Sequence, residues 1–270
     1  MIALGLMLLD IHFVLKMNLP TQKNKYQLEA LPSPREVFDV TAENFAQKVM
    51  STYLPAVLKG FAKHWPIVEA AGQSNKALVD YLSQFDQAQS LPVIVLPKET
   101  KGRMFYDAAL TGVNFQQTQG TLQQALANMQ RYKSRLASDS VCVQSARIEE
   151  TLPGLSSQLD NPLLPGSHPY IGVGNPIIVA AHFDEAHNIA VVTAGKRRFT
   201  LFPPQQIKNL YIGPLDFTPA GQPISLVDLR ASDLQNILII LRRFAQDYQW
   251  NWNPVMRFTS PPLGGITLNQ

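Results

Sequence analysis

The sequence predicts a mixed α/β chain dominated by β structure, its carboxy-terminal half folded as an antiparallel sandwich or barrel. Two observations lead there. From about Ser140 onward the chain breaks into short apolar or alternating runs, "SVCVQSA", "PIIVAAHF", "NIAVVTAG" and "RRFTLFPP", separated by Pro, Gly and Asn. No helical pattern intervenes between these runs, as a doubly wound parallel sheet would require. Before Ser140, by contrast, apolar residues recur at three- and four-residue spacing, the signature of amphipathic helices.

Taken in order, the chain opens on "MIALGLMLLDIHFVLK". This apolar stretch is too short to span a bilayer, is interrupted by Asp10 and His12, and has no basic residue ahead of it. Met17 then begins a polar segment and is the more ordinary start, so residues 1–16 are read as a candidate non-native leader. Residues 17–139 form the amino-terminal α/β part. In it the Thr41–Glu43 step starts a helix over "NFAQKVM", "PAVLKG" is a buried strand closed by Gly60, and "LPVIVLP" is a strand bounded by prolines. "NKALVDYLSQF" and "TLQQALANMQRYKSRLA" are helices with one apolar face. Residues 140–235 make up the β core, and 236–270 a tail with no recognisable pattern.

A chain of 270 residues, 46% of them hydrophobic, can bury a substantial core and fits one large domain or one domain with an extension. Its 23 basic and 20 acidic residues leave a net charge of only +3, which gives no reason to expect nucleic-acid binding. Nothing marks a membrane protein. The lone Cys142 cannot form an internal disulfide and sits in an alternating run, so it is read as a buried strand residue in a reducing, cytoplasmic setting. There is no dinucleotide fingerprint, phosphate loop, CxxC pair or nucleophile elbow. Any chemistry must therefore lie in the β half.

There, His182-Phe183-Asp184 stands out. On a strand, successive side chains point to opposite faces, which puts His182 and Asp184 on one face and Phe183 on the other. An imidazole and a carboxylate suit Fe(II), Mn(II) or Zn(II), and with a second histidine they would complete a facial triad with open positions. By itself the spacing is weakly specific. His187 is read as an exposed turn residue, His64 as structural and His168 as a loop residue, while Lys196, Arg197 and Arg198 read most simply as a solvated strand end.

Context sharpens the reading. "AHFDEAHNIAVVTAGKRRFTLFPPQQIKNLYIGPLDFTPAGQPISLVDL" resembles the JmjC-like cupin family, the cupin-8 group that includes a hypoxia-inducible-factor asparaginyl hydroxylase, and "AVLKGFAKHWP" resembles an element near that family's amino terminus. The resemblance implies a double-stranded β-helix and an Fe(II)- and 2-oxoglutarate-dependent oxygenase that hydroxylates a protein side chain or a small molecule. Carried over by position, it makes His182 and Asp184 metal ligands and Asn188 a residue lining the cosubstrate pocket. Arg197 takes the place of a lysine that pairs with the distal carboxylate of 2-oxoglutarate; Val179 replaces a threonine that contacts the same group; Tyr106 is a candidate pocket phenol. Neither substrate nor oligomeric state follows.

The second histidine of the triad is missing. The family places it in a "P-G-D … W-W-H-H" element some distance beyond the first ligands, yet this chain has no histidine after His187 and reads "WNWNPVMRFTSPPLGGITLNQ" there. Codons allowed for that tail, read one base out of register, can spell P-G-D-A-I-Y-I-P-S-P-W-W-H-H, with the two histidines overlapping Gly265–Thr267. The tail is therefore read as a frame-shifted product, the shift falling between Asp228 and Trp250. Two consequences are expected: a β-helix incomplete at its carboxy terminus with uncovered edges, and an impaired oxygenase. A noncatalytic cupin-like binding module is the alternative; a sugar-binding or isomerase-type cupin would bring more histidines to the metal.

Overall fold

The computed structural model describes residues 5–8, 33–133, 138–184, 186–228, 256–260 and 264–268. In chain order the strands are β1 (Gly5–Leu8), β2 (Arg35–Val37), β3 (Ala56–Lys59), β4 (Leu91–Leu96), β5 (Arg103–Met104), β6 (Gln116–Gly120), β7 (Ser140–Arg147), β8 (His168–Gly174), β9 (Ile178–Val179), β10 (Asn188–Val191), β11 (Arg197–Leu201), β12 (Met256–Ser260) and β13 (Gly264–Leu268). The α-helices are α1 (Ala42–Lys48), α2 (Pro66–Gln73), α3 (Asn75–Ser83), α4 (Leu122–Lys133) and α5 (Ile148–Thr151). Helices thus accompany the strands throughout the first half, as the periodicity predicts, and the second half is mainly strands and turns.

Nine strands form one mixed sheet in the order β2-β3-β13-β10-β1-β8-β7-β4-β6. Alternation along its strands sends residues to two separate cores. Leu58 of β3, Val93 of β4, Val141 and Val143 of β7, and Ile189 and Val191 of β10 join the helices in the main core, with Trp65, Ile67, Leu78, Leu82 and Leu126. Their neighbours in sequence point the other way: Val57 and Ala190 pack with Phe199 and Leu201 of β11, and Ile94, Leu96 and Cys142 pack with Met104. The sheet is therefore covered on both faces. Helices cover one face, and the short pairs β5-β9 and β11-β12 belong to the other. Cys142 is 1% exposed, in accord with its reading as a strand residue.

The stretch "AVLKGFAKHWP" shows how local chemistry sets the amino-terminal layer. Gly60 turns out of β3 with φ +75°, a conformation that favours glycine. Trp65 is fully buried and donates its indole N–H to the Asp160 carbonyl at 3.1 Å, and Pro66 opens α2 at its first position, where its missing N–H costs nothing. His64 beside it lies 3.7 Å from Asp160 with its side chain about half exposed, a structural surface position.

Three expectations are corrected. His168 is not a loop residue but the first residue of β8, its ring contacted by Arg147. The tail expected to lack strands supplies β12 and β13; β13 pairs with β10 on one side and β3 on the other, and β12 with β11. Uncovered edges are expected where the tail begins, whereas β10 and β11 are both paired by it. The reason is that ladder hydrogen bonds join main chains, and a segment such as Met256–Ser260 with its alternating Phe258 and Thr259 needs only β propensity to take them up. β1 likewise lies between β8 and β10, parallel to both.

A tight turn over residues 107–112 leads away from Tyr106, and the Asp107 carboxylate organises it. Oδ1 accepts from the Thr111 and Ala109 amides at 3.0 and 3.1 Å, while the Asp107 amide donates to the Gly112 carbonyl at 2.9 Å. The Thr111 amide is the main cause holding this carboxyl below its ordinary pKa; burial opposes it, and the Gly112 and Ala109 amides assist.

Two predictions follow from these contacts. A Cβ at Gly174 would stand 2.8 Å from the Cβ of Cys142, its cross-strand partner, so Gly174→Ala should destabilise the chain by about 1–3 kcal/mol in urea titrations. Because the folded-state pKa of Asp107 is depressed, its contribution is present above the unfolded-state value and lost as pH falls through the folded one. Asp107→Ala should accordingly lower the denaturation midpoint at neutral pH and leave the two proteins alike in acid.

Candidate functional site

The site is built where the second layer meets β10. After β9 the chain stays extended: the Ser225 amide donates to the Ala181 carbonyl at 2.7 Å, and His182 bridges Ile224 in antiparallel fashion. These two main-chain contacts hold the His182-Phe183-Asp184 step straight. As alternation requires, the His182 and Asp184 side chains face each other, with Nε2 3.9 Å from Oδ1, and Phe183 is 39% exposed. The two side chains keep 25% and 29% of their accessible surface, so the pair is partly enclosed but open to a small ligand; the backbone of His182 accounts for the residue's greater overall exposure.

Each member of the pair has one heteroatom occupied and the other presented. His182 Nδ1 lies 2.9 Å from the Ala180 carbonyl, an acceptor, so in the neutral imidazole Nδ1 carries the proton and Nε2 keeps its lone pair. Asp184 Oδ2 accepts from the Asn188 amide nitrogen at 2.7 Å, which leaves Oδ1 on the side of His182. Metal–nitrogen and metal–oxygen bonds run about 2.0–2.2 Å, so two cis ligands of one ion stand about 3 Å apart, and this pair would have to close by about 1 Å to share an ion as a facial triad does. The donor set, its tautomer and its outer partners fit a divalent metal. Among the described residues, no group of three or more His, Cys, Asp and Glu surrounds such a point.

The other candidates fall into place around this pair. Asn188 opens β10 on the same face as Ala190, toward the space between the layers. Arg197 opens β11 on the face of Phe199 and Leu201, which pack against Ala190; its guanidinium carbon lies 5.0 Å from the centre of the Phe199 ring. Arg197 and Asn188 thus point into one interlayer space. Arg198, facing the opposite way, is exposed. The solvated strand end applies to Arg198 and Lys196 but not to Arg197.

Tyr106 is buried at 3% exposure and packs with Ala180 and Ile224, so it neighbours the His182 strand. Its hydroxyl, however, donates to the Pro214 carbonyl at 2.8 Å, and its ring lies edge-on to Phe105 and Phe217. Burial raises its pKa, which keeps the phenol protonated. Gly213 allows this packing: a Cβ there would come 2.6 Å from the tyrosine ring. With its proton committed, Tyr106 serves first as a strut between the site strand and the 211–217 segment.

Sequence reasoning missed three contributors. The Ala180 carbonyl fixes the histidine tautomer, and no side-chain pattern could reveal it. Ser225 is wholly buried and anchors Ala181 through its amide; only its place in "ISLVD" hinted at a role. Arg103 pairs with Asp228 at 3.3 Å and lies 3.5 Å over the Phe105 ring, tying β5 to the segment that follows Ile224. One reading is overturned: His187 is half-buried rather than exposed, because β10 starts directly after it and draws its Nδ1 out of solvent.

No helix among the described residues is long and apolar enough to cross a membrane. No curated protein is significantly similar to the chain. A family model does match, over residues 42–249, and it takes in the five α-helices, strands β3 to β11 and every residue of the site. The chain belongs to the cupin-like domain family, the cupin-8 group.

Proposed function

We propose that this chain carries the scaffold of an Fe(II)- and 2-oxoglutarate-dependent hydroxylase, impaired because it lacks the second histidine of the metal triad. The observation that carries the metal reading is the complementary occupancy of the pair. Ala180 takes one nitrogen of His182, Asn188 takes one oxygen of Asp184, and the remaining two atoms face each other. Membership of the cupin-like family supports the scaffold, and the lone buried Cys142 fits a reducing cytoplasm.

In this reading His182 and Asp184 hold the ion. When bound, Fe(II) supplies the redox chemistry that couples oxygen consumption to decarboxylation of 2-oxoglutarate. Arg197 binds the distal carboxylate of the cosubstrate, for which a guanidinium offers two parallel N–H donors. Its stacking on Phe199 limits the rotamers it must give up. Val179, which is apolar, contributes no hydrogen bond there. Tyr106 and Phe217 wall the site strand and exclude water behind it. The primary substrate is a protein side chain or a small molecule.

The third ligand is the histidine legible one base out of register behind Gly265–Thr267. Losing even an outer-shell partner costs about 10–100-fold in metal affinity, so losing a direct ligand should cost at least as much. The chain as written should form iron-dependent succinate at near-background rates. A version with the frame rejoined between Asp228 and Trp250 should form it at least about 10-fold faster. Equal rates from the two proteins would overturn the impairment. Residual Mn(II) binding, followed by the paramagnetic signal of the free ion, should vanish in His182→Ala and Asp184→Ala. A wild-type chain that binds no Mn(II) would leave the noncatalytic binding module as the better account.

A further inference from the structure

We infer that β6 is a dimerisation edge, pairing antiparallel with β6 of a second copy of this chain across a two-fold axis at Thr118. β6 ends the nine-stranded sheet and, among the described residues, pairs only with β4. Opposite residues of an antiparallel pair alternate between those that exchange main-chain hydrogen bonds and those that do not. Val141 of β7 gives its amide and carbonyl to Asn175, so Val95 across from it must turn its own groups to β6. The bonded pairs are therefore Val95 with Gln116, Val93 with Thr118 and Leu91 with Gly120. Pro92, which has no N–H to give, accordingly stands opposite Gln119. The amides and carbonyls of Gln117 and Gln119 are left facing outward.

Two other strand edges are protected, and this one is not. At the far end of the sheet, β2 carries Arg35, held by the Lys48 carbonyl and the Thr52 hydroxyl, and Glu36, paired with Lys59; charges of this kind discourage pairing between edges. Along β5, the Asn114 side chain accepts from the Phe105 amide and donates to the Arg103 carbonyl, taking the place of a neighbouring strand. β6 reads Gln-Gln-Thr-Gln-Gly, without charge, proline or bulge, and Gln116, Gln117, Thr118 and Gln119 are all exposed.

A second copy fits this edge by its chemistry. With the axis at Thr118, Gln117 of one copy lies opposite Gln119 of the other, so the outward main-chain groups meet as bonded pairs. Thr118 meets Thr118, Gln116 meets Gly120, and no like charges oppose one another. Hydroxyls and side-chain amides both donate and accept, which makes these cross-strand pairs self-complementary. Ser90 donates to Gln119 Oε1 at 3.1 Å, leaving Gln119 Nε2 for Gln117 Oε1 of the second copy. The two-fold axis closes the contact, so the product is a dimer and not a fibre. The strand has 5 residues, against roughly 20–30 a side in a stable complex, so the dimer is weak and depends on concentration.

Sedimentation velocity of the full chain from about 10 μM to about 1 mM should show a monomer–dimer equilibrium. Gln117→Pro removes an outward N–H without touching the ladder to β4, so it should weaken dimerisation about 10-fold or more and leave the thermal midpoint close to the wild-type value. Thr118→Lys and Thr118→Glu, which set like charges against each other on the axis, should each dimerise less than the wild type, and their equimolar mixture more than either alone. In hydrogen exchange the Gln117 and Gln119 amides should gain protection as concentration rises, while the Thr118 amide, bonded to β4, is protected throughout. A chain that stays monomeric at the highest concentration overturns the inference; protection of the Gln117 and Gln119 amides in that monomer would show the edge covered by another segment of the same chain. A dimer that Gln117→Pro and both Thr118 variants leave at wild-type affinity uses another surface and overturns it as well.

Discussion

The sheet's burial on both faces is the constraint on which everything else depends. A strand buried on one face alternates apolar with polar residues; here β3, β4, β7 and β10 alternate between two apolar environments. The helical layer fills one of them, so the other must be filled by strands folded back across the sheet. It is this second layer that carries His182 and Asp184. The site is therefore a product of the same requirement that builds the core: Ala190 needs Phe199 and Leu201 above it, and the strand that provides them brings Arg197 to the face of Asn188.

Several polar residues that border this interlayer space are paired. Asp184 is matched by Asn188, His182 by the Ala180 carbonyl, Tyr106 by the Pro214 carbonyl and Arg103 by Asp228. Each pairing meets the penalty of withdrawing a polar group from water, typically about 1–3 kcal/mol for an unpaired group. Asn188 Oδ1 and His187 Nδ1 depart from that pattern.

Much of this architecture is legible in the sequence because it depends on periodicity. The helices at Asn75–Ser83 and Leu122–Lys133 and the strands at Leu91–Leu96 and Ser140–Arg147 follow from apolar spacing that local backbone geometry alone explains. The facing of His182 and Asp184 is equally local, a property of i and i+2 on any extended segment. Less was legible where a residue's role is set by distant chain. His187 reads as a turn residue, yet the neighbouring strand half-buries it; Tyr106 reads as a pocket phenol, yet its hydroxyl donates to a carbonyl more than a hundred residues away. The tail reads as patternless, yet its backbone finds strand partners.

That last contrast explains how a fold can outlive its chemistry. Main-chain hydrogen bonds are nearly blind to side chains, so a slot beside β10 or β11 accepts any extended segment of adequate β propensity, as Gly264–Leu268 and Met256–Ser260 do. Metal ligation tolerates no such exchange, because an imidazole must stand at one position with one nitrogen free. His182 and Asp184 are two residues apart on one segment that follows β9 and is held by an isolated bridge at His182, so their geometry needs little beyond that segment and its immediate supports. A third ligand must arrive from a distant strand. A shift in reading frame after Asp228 would therefore preserve the sheet's pairing and both local ligands while deleting the remote one. If His182 and Asp184 hold a metal as proposed, the expected product is a cupin-like domain that keeps both of them and lacks the remote ligand.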